Sequence, residues 1–180
     1  MERLRELPHH EIPAAAITWA ANPTLQITGL VTKPQLLTAA DLAAAWATMP
    51  RTGFTEDFLC DGKWTVPDQQ WSGYRLLDVI QLAHPLPAAT YIRVGSGDYV
   101  VPISLAEAAN ALLADRLNGQ PLTVEHGAPW RLALFGGRCF TSVKWVDRLE
   151  LTTEPGENTS LKIVRERNQA LLAQKRAQKQ

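Results

Sequence analysis

Cys60 has more chemical choices open to it than any other residue in this chain. It stands between the apolar pair Phe58-Leu59 and the polar stretch Asp61-Gly62-Lys63, with Trp64 and Trp71-Ser72-Gly73-Tyr74 following. A thiol in that setting is a small buried hydrophobe, half of a disulfide, a nucleophile or a metal ligand. Burial is the commonest of the four for cysteine. Cys139 is the other cysteine, and two are too few for a disulfide framework. Structural zinc takes about four ligands, and the chain has neither a Cys-x-x-Cys nor a His-Glu-x-x-His motif. A Cys-His nucleophile would draw on His84 or His126, with no spacing that singles out either. A redox pair of Cys60 and Cys139 requires their sulfurs to lie within reach of each other.

A second group is His126-Gly127-Ala128-Pro129-Trp130-Arg131. Glycine and proline set an irregular backbone there, and an arginine opens the strand that follows. A guanidinium fork recognises phosphate or carboxylate in a bidentate way, although a surface salt bridge is the commoner use of an arginine. Thr141-Ser142-Val143-Lys144-Trp145 adds a hydroxyl and a second cation. Gly136-Gly137-Arg138 lets a backbone approach a ligand closely. The adjacent His9 and His10 would face different ways in any regular element and read as surface residues.

The elements that must position these groups follow from periodicity and punctuation. Residues 1–22 read as an extended arm. Thr24 to Val31 alternates and reads as a strand. Thr38 caps a helix from Ala39 to Thr48 that Pro50 closes. Thr52 to Cys60 reads as a strand, with turns at Asp61-Gly62 and Ser72-Gly73. A short helix is predicted from Tyr74 to Ala83. Strands follow at Tyr91–Val94 and Tyr99–Ile103, the latter carrying Pro102 and therefore suited to a sheet edge. Ser104 and Glu107 form a capping-box pattern before a helix from Ala106 to Leu113. Asn118-Gly119 reads as a hairpin turn. Strands are predicted at Arg131–Phe135 and Ser142–Leu151. Strands and short helices without regular βαβ spacing predict an α+β fold with a mixed sheet.

The totals bound the function. Hydrophobic residues make up 46% of the 180 residues, enough for a packed core in one domain. A formal net charge of +0 gives no global field for nucleic acid. The charge is uneven, since residues 157–180 carry six Lys/Arg against Glu157 and Glu166. This predicts three regions: the arm 1–22, a domain at 23–153, and a linker with a basic C-terminal helix at 154–180, capped by Thr159 or Ser160. Such a helix suits an acidic partner or a membrane surface. No apolar run approaches the roughly 18 residues that span a bilayer. The mixed-charge N-terminus does not read as a secretory signal, so a cytoplasmic protein with reduced thiols is expected.

Four segments, in order, carry a resemblance. They are Leu25 to Pro34; Leu59-Cys60 with Trp64 and Trp71-Ser72-Gly73-Tyr74; Asn118 to Leu122 leading to His126–Arg131; and Ser142-Val143-Lys144-Trp145. Together they resemble the molybdopterin-dependent oxidoreductase domain of the sulfite oxidase superfamily, in its small single-domain bacterial branch. The resemblance implies a molybdenum-molybdopterin cofactor with Cys60 as the thiolate ligand of the metal and catalytic centre. It implies that His126, Arg131, Ser142 and Lys144 contact the pterin or its phosphate. A soft thiolate suits a metal already held by dithiolene sulfur. A small-molecule substrate and a separate electron-transfer partner are implied with them. Sulfite-oxidising members usually carry Cys-Ala-Gly-Asn where this chain has Cys60-Asp61-Gly62-Lys63, so sulfite as substrate is not implied. A cofactor-free binding module on the same scaffold, interacting through its C-terminal helix, is the alternative expectation.

Overall fold

The computed structural model describes residues 2–8, 11–60, 64–163, 165 and 169. In chain order the elements are Glu2–Arg3 (β1), Ala14–Ala21 (α1), Thr24–Gly29 (β2), Gln35–Thr38 (β3), Ala39–Trp46 (α2), Thr52–Cys60 (β4) and Trp64–Arg75 (β5). Leu76–Ile80 (α3), Tyr91–Ser96 (β6), Tyr99–Ser104 (β7), Leu105–Ala108 (α4), Ala111–Leu117 (β8) and Gln120–Pro121 (β9) follow. Arg131–Leu134 (β10) and Arg148–Thr152 (β11) complete the list. The fold is mixed α+β, as the sequence predicts, with its strands divided between two mixed sheets.

One sheet has five strands in the order β3-β2-β11-β6-β7, with β2 and β11 parallel and the remaining pairs antiparallel. Its inward residues follow the two-residue period of a strand: Leu25 and Ile27 on β2, and Leu149 and Leu151 on β11, are fully buried. Pro102 lies on β7, an edge strand, where its missing N–H costs least.

In the other sheet β5 is the spine. It pairs with β4 along one edge. On the other edge it pairs with β1 at Trp64–Thr65 and with β8 at Trp71–Arg75. β8 in turn pairs with β9 and β10. The strand β10 separates two cores. Trp130 and Leu132 pack into the large core with Leu25, Leu113 and Leu149. Ala133 belongs to a smaller core with Leu7, Val66 and Trp71.

Several local expectations are met. Thr38 accepts from the Asp41 N–H while Asp41 accepts from the Thr38 N–H, capping α2. Ser104 and Glu107 form the same reciprocal pair at α4. Others are corrected. The N-terminal arm contains α1 and the short parallel strand β1, and Leu7 is buried. Ser72-Gly73 lies within β5 at a break in register and is not a turn. The helix expected from Ala106 to Leu113 stops at Ala108, and Ala111–Leu117 is a strand. The strand expected from Ser142 begins only at Arg148. The helical residues 159–163 are capped by Asn158, whose Oδ1 accepts from the Leu161 N–H at 3.1 Å. The Asp61-Gly62 turn, His9, His10 and most of the basic C-terminal helix lie outside the described residues.

Candidate functional site

A cavity of about 750 Å³ opens between the end of β4, the start of β10 and the segments 126–127 and 139–147. The five residues that the family resemblance implies for the site all line it: Cys60, His126, Arg131, Ser142 and Lys144. Leu7, Pro8, Pro13 and Trp19 of the N-terminal segment form an apolar wall. His84 is not among the lining residues; its carbonyl accepts from the Thr32 N–H at 2.9 Å.

Strand alternation places the first cation. Trp130 and Leu132 point into the large core, so Arg131 between them points to the opposite face of β10. There it is 3% exposed. Its guanidinium carbon stands 4.8 Å from the Trp71 ring centre and 5.4 Å from that of Phe58. Its Nε donates to Ser142 Oγ at 2.8 Å, and one terminal nitrogen donates to the His126 carbonyl at 3.2 Å. Ser142 Oγ passes its own hydrogen to the Leu132 carbonyl at 2.9 Å. Every one of these hydrogen-bond partners is neutral. Burial pushes the Arg131 pKa down to about 10, with the nearby Cys139 opposing the shift. A buried charge without a carboxylate partner is costly, and aromatic faces offset only part of that cost.

Lys144 is placed by close backbone packing. Gly127 has φ +99°, and a Cβ on it would lie 2.9 Å from Lys144 Cβ. Only glycine lets the two segments meet this closely. Lys144 Nζ donates to the Glu125 carbonyl, and Trp145 Nε1 donates to the Val124 carbonyl at 2.7 Å. Burial, and then the charge of Arg131, push Lys144 down to about 8, against the pull of Glu125. Two cations repelling each other on one cavity wall form a site suited to an anion.

Cys60 ends β4, paired with Trp64. Its Sγ is 3.2 Å from that of Cys139, with the Cys139 thiol donating. Trp64 lines the cavity, whereas Trp71 is buried behind it as a platform for Arg131. Tyr99 was given no role by the sequence. It lines the cavity, and its hydroxyl donates to the Phe140 carbonyl at 2.7 Å. The platform role of Phe58 was also unforeseen; its place two residues before Cys60 on one strand face was the available signal.

A thiol, a buried guanidinium and an ammonium on one wall fit a soft metal joined to an anionic group. The model of the oxidoreductase molybdopterin binding domain matches residues 9–160. The chain belongs to this family. It is 32% identical over 133 residues to the uncharacterized oxidoreductase YuiH of Bacillus subtilis (strain 168), covering 72% of this chain and 65% of YuiH. A nitrate reductase [NADPH] of Aspergillus niger is 33% identical over 98 residues, covering 49% of this chain and 11% of the enzyme. The sulfane dehydrogenase SoxCD of Paracoccus pantotrophus has a similar fold, with a TM-score of 0.66 and 26% identity over 75% of this chain and 39% of that one. The family model thus matches most of this chain, whereas the chain spans 65%, 11% and 39% of the lengths of these three relatives.

Proposed function

We propose that this domain is a molybdenum cofactor-dependent oxidoreductase in which the Cys60 thiolate ligates the metal. When bound, the cofactor supplies two-electron redox chemistry as molybdenum moves between its +6 and +4 states. The chain supplies the pocket. Arg131, lying over the Phe58 and Trp71 rings and tied to Ser142, offers its charge to the pterin phosphate. Lys144 adds a second charge on the same wall, and His126 borders it. The apolar wall of Leu7, Pro8, Pro13 and Trp19 limits water at the site. The substrate is a small molecule entering this cavity, and electrons pass to a separate partner.

The observation that carries this reading is the placement of Cys60 and a buried Arg131 with neutral partners on one cavity. One protein thiolate suits a metal that arrives with sulfur ligands of its own. A buried guanidinium with neutral partners suits an anionic ligand. The test is metal analysis and pterin extraction on purified wild type and Cys60→Ser. Molybdenum is expected near one per chain in the wild type and at least tenfold lower in the variant, with far-UV circular dichroism unchanged. Equal molybdenum in both removes the ligand assignment.

A further inference from the structure

The contact between Cys60 and Cys139 is used by nothing proposed above. The two residues are 79 positions apart in sequence, yet their sulfurs stand 3.2 Å apart. A disulfide bond is about 2.0 Å long, so roughly 1 Å of side-chain movement joins them. Their proximity is fixed by the surroundings. The Gly136 N–H donates to Glu56 Oε2 at 2.7 Å, tying the loop before Cys139 to β4, the strand that ends in Cys60. On the other side, Thr141 Oγ1 donates to the Arg138 carbonyl at 2.8 Å, closing the turn that holds Cys139. Tyr99 anchors the same turn through the Phe140 carbonyl. Both cysteines are half-buried and line the cavity, so a small oxidant entering it meets both.

We propose that Cys60 and Cys139 form an intramolecular disulfide in the cofactor-free protein, and that this bond withholds the Cys60 sulfur from molybdenum. The second half rests on Cys60 being the ligand, as proposed above. The oxidant is a low-molecular-mass disulfide, RSSR. One cysteine attacks it, releasing one RSH and leaving a mixed disulfide. The other cysteine displaces the second RSH as the Cys60–Cys139 bond forms. Both protein thiols are oxidised, RSSR is reduced, and the two thiol protons leave on the two RSH. A sulfur has room for one such bond, so metal ligation and the disulfide exclude each other. Loading of the site is thereby tied to the thiol redox state around it.

The test uses full-length protein from a host unable to make the pterin. It is treated with oxidised glutathione at neutral pH and read by intact mass, thiol alkylation and peptide mapping. The wild type is expected to lose both alkylatable thiols and yield a Cys60–Cys139 cross-linked peptide, while Cys139→Ser yields only a glutathione adduct. Molybdenum cofactor released from a donor enzyme is then offered. Oxidised wild type is expected to take up at least tenfold less molybdenum than the same sample reduced with dithiothreitol. Two alkylatable thiols after oxidation overturn the proposal. So does a complete cross-link with unchanged molybdenum uptake. Failure of the ligand reading shows separately, as full molybdenum uptake by reduced Cys60→Ser, so neither failure imitates the other.

Discussion

Ile27 and Leu149 face each other across the parallel pair of the five-stranded sheet, and both are fully buried. Arg131 is almost as inaccessible on the six-stranded sheet, but it is a cation over two aromatic rings at the edge of a cavity. The first pair gains its stability from apolar burial alone. The second arrangement gives up stability, because a desolvated guanidinium with neutral partners lowers the folded state relative to water less than a hydrocarbon of the same shape would. Interiors built for packing and interiors built for binding thus sit a few residues apart on the same backbone rules.

Three experiments bear on that contrast. Leu149→Ala is expected to cost about 2–5 kcal/mol of stability in urea denaturation, while molybdenum per folded molecule stays the same. A parallel loss of cofactor would erase the division between the two sheets. Arg131→Met is expected to leave cofactor-free stability equal or higher, because a desolvated and only partly compensated buried charge is removed. It is also expected to lower pterin retention about tenfold, or roughly 1.4 kcal/mol, read from the fluorescence of the oxidised pterin. A large fall in cofactor-free stability would instead mark Arg131 as a packing residue. The smallest effect belongs to Lys144, which loses its proton near pH 8 in the folded chain against an ordinary 10.5. The unfolded state holds more protons between those values, so the Lys144 contribution to cofactor-free stability rises with pH there. Its attraction for an anion falls over the first part of the same window. Pterin retention is expected to be several-fold weaker at pH 9 than at pH 7, and Lys144→Arg is expected to flatten that dependence, since arginine keeps its proton.

The same division explains how legible each part was. Around the five-stranded sheet, alternation and caps are local signals, and the strand from Thr24, the Thr38 cap and the Ser104-Glu107 box were readable from them, although the strand ends at Gly29 and not at Val31. In the other sheet, tertiary packing overrode local propensity. Ala111, Leu112, Leu113 and Ala114 favour a helix by composition, but all four are buried in a strand lying between partners on both edges. Gly73 looked like a turn, and a Cβ on it would lie 2.3 Å from the Leu113 carbonyl oxygen. It is there to let two strands approach at a bulge. Val143 and Val146 looked like strand residues, yet Trp145 between them has φ +53° and breaks the strand into an irregular loop. Residue type alone left Cys60 as a buried thiol and Arg131 as a surface cation; it was the ordered family motifs that grouped Cys60, His126, Arg131, Ser142 and Lys144, and the structure brings all five to one cavity. The neighbour relation of Cys60 and Cys139 could not be read, since it depends on how two distant segments are tied through Glu56 and Gly136.

The position of Arg131 between Trp130 and Leu132 has a consequence for assembly of the domain. A slip of β10 by one residue exchanges its two faces. It would drive the guanidinium into the hydrocarbon around Leu113 and Leu149 and turn an indole or an isobutyl group toward the cavity. The cation therefore acts as a proofreading mark for the strand. The charge that makes the cavity attractive to an anion also penalises the misaligned chain, so a correctly formed sheet and a correctly charged pocket are selected together as the protein folds.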